Sequence, residues 1–299
     1  MKKTLLFIGV VLNTTFVFAQ QNLFMASDLT KEGEFTNNCE GPSVDKAGNI
    51  YAVNIQKDGT IARITPDGKT SVFLTLPDGS VGNGIRFGAQ HTFFVADFMQ
   101  HNVLKVNLKT REVSVLAHVP AMNQPNDLAI MRNGIIFCSD PNWKESKGQI
   151  WKVTPDGKAE LLETNMGTTN GIEVSPDEKT LYVNESVQRN VWAYDITSEG
   201  KLTNKRLLIQ FSDGGMDGMR CDAKGNLYIA RWGMGQIDIV SPEGKVLRSV
   251  LMKGKQTSNI CFGGKDGKTC YVTLQDRKCI ETFRTNYAGR EWQMMKRFK

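Results

Sequence analysis

The sequence predicts an all-β protein, a six-bladed β-propeller with four-stranded antiparallel blades, from three observations. A polar segment that opens a strand recurs six times, with starts separated by 43, 43, 44, 47 and 42 residues. Each unit contains further short β-branched and aromatic runs divided by turn residues. The mature chain lacks the apolar periodicity of an α-solenoid. A repeat of this length with four strands per unit is typical of a propeller blade.

Each unit orders its parts in the same way, which predicts one domain over residues 20–299. In the first unit the opening strand is followed by a turn at residues 45–49 and an apolar strand at residues 50–53. Third strands lead to Pro-Asp-Gly turns, as at residues 66–68 and 155–157, because proline fixes φ and glycine accepts a positive φ. The six units start at Glu40, Asn83, Asn126, Asn170, Asp217 and Asn259.

The sixth unit ends without an obvious fourth strand after residues 279–284. Residues 27–35 precede the first unit and can supply that strand, which would remove an exposed sheet edge. The C-terminal tail, residues 291–299, is the alternative cover for this edge. The sequence does not decide between them.

The N-terminus has the pattern of an export signal. Lys2 and Lys3 precede an apolar run at residues 5–12, and Val17-Phe18-Ala19 offers a small-residue cleavage site. We therefore predict a signal peptide at residues 1–19 and a periplasmic or secreted protein. An oxidising compartment permits disulfides among the six cysteines, and the clustering of Cys261, Cys270 and Cys279 allows one bridge there.

Charge and motif content exclude several function classes. The net charge is +6, and the basic residues are scattered without a run of like charges, so we expect no nucleic-acid partner. No segment after the signal reaches transmembrane length. The sequence has no Cys-x-x-Cys pair, no zinc-like histidine spacing, no Gly-x-Ser-x-Gly elbow and no glycine-rich phosphate loop. We expect a small-molecule partner.

Propeller geometry places two rings of side chains at one mouth of the axis, because the second strand of each blade returns to the face where the first begins. The inner ring has only carboxylates and carboxamides: Glu40, Asn83, Asn126, Asn170, Asp217 and Asn259. The outer ring is formed by Asn54, Asp97, Asp140, Glu185, Arg231 and Gln275.

Oxygen donors that converge on one axis suit a hard divalent cation, and two carboxylates neutralise its charge. Calcium fits this set best, magnesium or manganese fits if water replaces some donors, and zinc prefers histidine or cysteine. The competing interpretation is that Asn-Gly and Asp-Gly pairs mark tight turns without a ligand role. Glu40 favours the cation site, because Gly-Pro follows it.

Four motifs together resemble the gluconolactonase and senescence-marker-protein family, also called regucalcin-like lactonases. They are Glu40-Gly41-Pro42, Pro125-Asn126-Asp127, Asn170-Gly171-Ile172 and Asp217-Gly218-Met219, the last two followed by similar segments at residues 175–183 and 222–228. The resemblance covers nearly all of the mature chain. It implies a six-bladed propeller with an axial divalent metal and, in many members, lactone hydrolysis.

The resemblance also implies residue roles. Glu40, Asn170 and Asp217 would be the metal ligands, Asn126 a further ligand or a substrate contact, and Asp217 the proton acceptor. The chain departs from the animal members at Gln124, where those proteins have the arginine expected to recognise a sugar acid.

These residues predict a metal-dependent lactone hydrolase that opens a sugar or related lactone to its hydroxy acid. The metal would stabilise the oxyanion, and Asp217 would activate water. Because a metal-bound carboxylate is a poor base, Asp140 and Glu185 are alternative bases, and Asp140 is also a predicted substrate contact. Two other functions stay open: a non-catalytic, metal-stabilised propeller that binds a sugar or a protein, and an interaction propeller of the NHL type.

Overall fold

The computed structural model describes residues 23–89 and 91–297, so the predicted signal peptide lies outside the described residues. Six four-stranded antiparallel sheets form a six-bladed β-propeller, as the repeat predicts. The innermost strands are β2 (Phe35–Val44), β6 (Gly82–Phe87), β10 (Leu128–Ile130), β14 (Thr169–Val174), β18 (Met219–Cys221) and β22 (Thr257–Gly263). The second strands are β3 (Ile50–Ile55), β7 (Thr92–Asp97), β11 (Ile136–Asn142), β15 (Thr180–Glu185), β19 (Leu227–Arg231) and β23 (Thr269–Leu274).

The outer half of each blade is more exposed and completes the sheet. The third strands are β4 (Thr60–Ile64), β8 (Asn102–Asn107), β12 (Lys147–Val153), β16 (Asn190–Ile196), β20 (Gln236–Val240) and β24 (Cys279–Arg284). The fourth strands are β5 (Thr70–Thr75), β9 (Val113–His118), β13 (Ala159–Met166), β17 (Leu202–Gln210), β21 (Val246–Leu251) and β1 (Ser27–Asp28).

The innermost strands contact one another in a closed ring around the central channel. Six apolar clusters occur within the described residues, and each joins two neighbouring blades. Between blades one and two, Tyr51 lies against Phe73 and Phe87 with ring centroids 5.1 and 5.5 Å apart. Blade-to-blade burial of this kind holds the inner strands, and with them the mouth of the channel, in a fixed geometry.

The N-terminal segment closes blade six. β1 pairs antiparallel with β24, with Ser27 opposite Thr282 and Asp28 opposite Glu281. Asp28 accepts from the Lys253 ammonium at 2.6 Å and from the Arg277 guanidinium at 2.7 Å. The first of the two predicted closures is therefore the one that forms, and it covers the β24 edge.

The C-terminal tail has a different place, which the sequence analysis does not anticipate. It forms a helix, α1 (Arg290–Arg297), at the end of the channel opposite the ring of Asn and carboxylate residues. The Arg290 guanidinium donates to the carbonyls of Ile130, the last residue of β10, and Ser175, which follows β14. Met294 and Met295 complete two of the interblade clusters.

All six cysteines are buried free thiols, so the bridge that the C-terminal cluster of cysteines allows does not form. Cys261 packs in the cluster between blades six and one, whereas Cys270 packs between blades five and six. Cys261 and Cys270 lie one register position apart on the paired strands β22 and β23, so their side chains are on opposite faces of blade six.

Candidate active site at the channel mouth

The inner ring is assembled by a hydrogen bond repeated between neighbouring blades. The Gly84 N–H, which follows ring residue Asn83, donates to the carbonyl of Asn126 at 2.9 Å. The Gly218 N–H, which follows Asp217, donates in the same way to Ser258 at 2.7 Å. At these two positions the backbone of one blade therefore holds the residue that opens the next blade.

Close packing between neighbouring blades explains why glycine is required after two ring residues, at Gly84 and Gly218. A Cβ atom on Gly84 would lie 2.4 Å from Oδ1 of Asp127, and one on Gly218 would lie 2.0 Å from Cγ of Asn259. Neither glycine has a positive φ. The Asn83-Gly84 pair lies within β6 and the Asp217-Gly218 pair directly precedes β18, both in close packing, so the tight-turn interpretation does not hold at these positions.

Blade six differs from the prediction by one residue, because Ser258 occupies the ring position and Asn259 lies one step deeper. Asn259 instead matches Asp127 of blade three. The N–H of each donates at 3.0 Å to a hydroxyl oxygen of the second strand, Ser139 or Thr273, and each side chain accepts from the N–H of the next residue. Asn259-Ile260 resembles the Asn- or Asp-led segment that opens other units, so the sequence repeat assigns the ring position to Asn259 and not to Ser258.

The ring opens into a cavity of about 540 Å³ at the channel mouth. Glu40, Asn126, Asn170 and Asp217, predicted from separate blades, all line it, and so does Asn83. Glu40 and Asp217 are its only carboxylates within the described part of the chain. The structure therefore brings together four of the five predicted site residues.

Burial perturbs both carboxyl groups of the cavity. It raises the pKa of Glu40 to about 7, although Asn259 Nδ2 and the Gly41 N–H each donate to Glu40 Oε2 at 2.9 Å. It raises the pKa of Asp217 well above its usual range, and the charge of Glu40 raises it further. Two close carboxylates that resist ionisation are poised for a positive ligand.

Two amide oxygens lack partners next to these carboxylates. Asn126 Oδ1 and Asn170 Oδ1 are buried and accept no hydrogen bond. The Asn170 Nδ2 group donates to Ser186 Oγ at 3.0 Å, which orients its amide and leaves the oxygen free. Unpaired buried acceptors are costly, so these oxygens and the two carboxylates fit a hard cation bound by oxygen.

The residues of the predicted outer ring anchor loops, and only Gln275 among them lines the cavity. Asp140 is fully buried and accepts from the N–H groups of Asn123 and Gln124 at 3.0 and 2.5 Å, and from Trp151 Nε1 at 3.1 Å. Glu185 likewise accepts from the Gly167 N–H at 2.7 Å. These contacts anchor the segments that lead into the inner strands, and they remove Asp140 from the cavity as a direct contact.

Below the ring, the channel is filled by ion pairs that the sequence analysis misses. Asp127 lies 2.9 Å from Arg86 and 3.2 Å from Arg220. Burial opposes its charge, yet these guanidiniums hold the pKa of Asp127 below its usual range. Glu291 of α1 approaches the same arginines from below, at 3.8 and 3.7 Å. A charged residue inside a strand predicted to be buried is the signal that would have identified them.

The apolar walls of the cavity are a second feature that the sequence analysis largely misses. They are apolar residues that follow second strands or precede an inner strand: Phe98, Trp143, Val187, Met216 and Trp232. Trp232 Nε1 donates to Gln275 Oε1 at 3.1 Å, which fixes the indole plane. The place of these residues directly after the outer ring was the available sequence signal.

Fold and site together define a six-bladed propeller with a carboxylate and carboxamide site on its axis. Residues 38–276 match the family model described as the SMP-30/Gluconolactonase/LRE-like region. The chain therefore belongs to this family, as its motifs predict.

Relatives and solved structures agree with this assignment. The gluconolactonase of Zymomonas mobilis subsp. mobilis is 32% identical over 270 residues, 78% of this chain and 75% of that protein. The diisopropyl-fluorophosphatase of Loligo vulgaris is 27% identical, over 88% of this chain and 92% of that protein. A calcium-binding protein, regucalcin, from Agrobacterium tumefaciens shares the fold, with a TM-score of 0.74, 21% identity and coverage of 86% and 92%. The named relatives support a hydrolase.

Proposed function

We propose that this protein is a divalent-metal-dependent lactonase, with calcium as its resident cation, which opens a lactone to the hydroxy acid. One observation carries the proposal: four oxygen donors from four blades line one cavity, and two of them are buried acceptors without a partner. Glu40, Asn126, Asn170 and Asp217 would hold the cation. The Zymomonas relative named gluconolactonase and the calcium-binding regucalcin support the substrate class and the metal.

A bound divalent cation would supply Lewis-acid polarisation of the lactone carbonyl. The protein supplies the rest. Glu40 and Asp217 provide two negative charges in a buried place, and the Asn126 and Asn170 amides contribute oriented dipoles. A site organised in advance in this way is worth more in a water-poor cavity than in solution.

Proton transfer falls to the carboxylates of the cavity. A water oxygen bonds to the carbonyl carbon, its proton passes to Asp217, the ring C–O bond breaks, and the proton goes to the departing ring oxygen. Asp140 and Glu185, the other bases considered, are occupied by backbone N–H donors outside the cavity. Asp217 is therefore the base that the geometry favours.

The experiment is a pH-indicator assay of the purified protein on sugar, aliphatic and aryl lactones, with diisopropyl fluorophosphate as a separate substrate class. Each assay is run with calcium, magnesium, manganese, zinc or a chelator. We expect acid release from lactones that the chelator abolishes and calcium restores. Hydrolysis of the fluorophosphate alone, or lactone turnover unaffected by chelation, would contradict the proposal.

Two variants divide the roles of the carboxylates. Asp217→Asn should retain measurable calcium binding by calorimetry while kcat falls by at least about 100-fold, the usual size of a general-base contribution. Glu40→Gln should act mainly by weakening calcium binding. Unchanged turnover in Asp217→Asn would remove its role as the base. If the protein binds the metal but hydrolyses none of the lactones, the result would favour a non-catalytic binding protein.

We also propose that the protein is exported, on the basis of the signal-like residues 1–19. No helix in residues 23–89 and 91–297 is long and apolar enough to cross a membrane. N-terminal sequencing of the protein made in a bacterial host should give a chain that starts at Gln20. A chain that retains Met1 in the cytoplasmic fraction would refute export.

A further inference from the structure

The upper wall of the axial cavity is apolar on one side. Phe98, Trp143, Val187 and Trp232 belong to the loops that follow second strands in blades two to five. The corresponding position in blade six contributes the polar Gln275, and blade one contributes the polar Asn38 from its innermost strand. An apolar arc above a polar floor indicates a ligand with one polar end and one apolar end.

The charged residues that line the axial cavity, the cavity at the channel mouth, limit the class of ligand further. No lysine or arginine lines the axial cavity in the part of the chain that the structure describes, while Glu40 and Asp217 lie on its floor. A phosphate, sulfonate or carboxylate held within this cavity would therefore find no lysine or arginine to pair with. A neutral ligand meets no such cost.

A second cavity of about 550 Å³ adjoins the first and shares Phe98, Gln124 and Trp143 with it. We call it the lateral groove; its other apolar residues are Met99 and Pro141, and polar residues at its border include His101 and Lys144. Met99 is 53% exposed and Trp143 is 45% exposed. Large apolar side chains left accessible beside a site commonly mark a surface that a ligand covers.

We propose that the lateral groove is a substrate subsite, and that the substrate is a neutral lactone with an alkyl or aryl substituent lying along Met99 and Trp143. The inference rests on the proposed lactonase function and names its substrate class. Because Phe98, Gln124 and Trp143 border both cavities, a substituent on a ring over Glu40 and Asp217 would reach the groove past Trp143. The polar hydroxyls of a sugar lactone would gain little from these walls.

The test compares δ-valerolactone with δ-decalactone, which differ only by a five-carbon chain. With calcium present, we expect kcat/KM for δ-decalactone to exceed that for δ-valerolactone by at least about tenfold, since each methylene in an apolar subsite adds severalfold. Met99→Ser should reduce this ratio by at least about threefold. Leu251→Ser, which alters a 71% exposed leucine on β21 outside both cavities, should leave the ratio unchanged.

Binding of the matching lactams, which resist hydrolysis, separates the subsite from the chemistry. We expect the pentyl-substituted δ-lactam to bind at least about tenfold more tightly than δ-valerolactam by calorimetry, and Met99→Ser to remove most of the difference. That result supports the groove even if no lactone is hydrolysed. Equal lactam affinities, or hydrolysis of both lactones with equal kcat/KM, would overturn the groove, and in the second case lactonase activity would stand.

Discussion

At the scale of single residues, Glu40 and Asp217 determine how the protein responds to pH. Burial raises the pKa of Glu40 from 4.5 to about 7 and raises that of Asp217 well above its usual range. In the metal-free protein both groups thus hold protons that the unfolded chain has already lost. The cost of ionising Glu40 lowers the free energy of unfolding as pH rises from about 4.5 to about 7, and Asp217 acts in the same direction. A bound cation would offset that cost.

Calcium affinity should therefore increase with pH. We expect the association constant to rise between pH 5.5 and 8 by up to about tenfold per pH unit for each proton displaced. Calorimetry in two buffers of different ionisation enthalpy measures both the affinity and the proton release. An affinity that is flat over this range would show that these carboxyls do not bind the ion.

Asn259 is the residue that fixes the orientation of Glu40. Its Nδ2 donates to Glu40 Oε2, while its Oδ1 accepts from Arg220 at 3.2 Å and so sets the amide plane. Asn259→Leu keeps the branched shape but removes one hydrogen bond from Arg220 and one from Glu40. We expect the free energy of unfolding to fall by about 1–3 kcal/mol in urea titrations, together with weaker calcium binding. Unaltered calcium affinity would show that Glu40 needs no such support.

At the scale of elements, β1 protects the sheet edge of blade six. Its pairing with β24 turns an exposed row of backbone groups into a closed ring of blades. A chain that starts at residue 35 should show a lower melting temperature and aggregate on size-exclusion chromatography, compared with one that starts at residue 23. Equal melting temperatures and monomer yields for the two chains would refute this role.

The helix α1 supplies the lower counter-charge of the channel. Glu291 is buried between Arg86 and Arg220, which Asp127 pairs from above. Glu291→Gln should lower the free energy of unfolding by about 3 kcal/mol, the low end for a broken buried pair, because its contacts are longer than those of Asp127. Glu145→Gln, in an exposed pair with Lys147, should cost less than about 1 kcal/mol. Similar losses in both variants would contradict the role of α1.

At the scale of the whole molecule, the repeat carried most of the prediction. Six blades and four site residues follow from a period near 43 residues, because each blade must place the same strand on the axis. The register of blade six did not follow, since Ser258 and Asn259 are both polar and only the inter-blade hydrogen bond distinguishes them. The prediction that Asp140 of the outer ring contacts the substrate is wrong for a related reason. Polarity alone does not distinguish a ligand-binding residue from one that anchors a loop.

The long-range contacts inside the channel could not be predicted from the sequence either. Arg86, Asp127 and Arg220 come from three blades, and Glu291 comes from a tail with no repeat partner. No local pattern joins residues separated by such distances along the chain. Only closure of the ring brings them together, and with them the support for the floor of the site.

The most direct test of the central claim is a crystal structure of the protein grown with calcium. We predict one ion at the channel mouth, with oxygens of Glu40, Asn126, Asn170 and Asp217 at about 2.3–2.6 Å. Such a structure would show that the partnerless amide oxygens are ligands. A calcium ion bound elsewhere, or a channel mouth that stays metal-free at saturating calcium, would contradict the account.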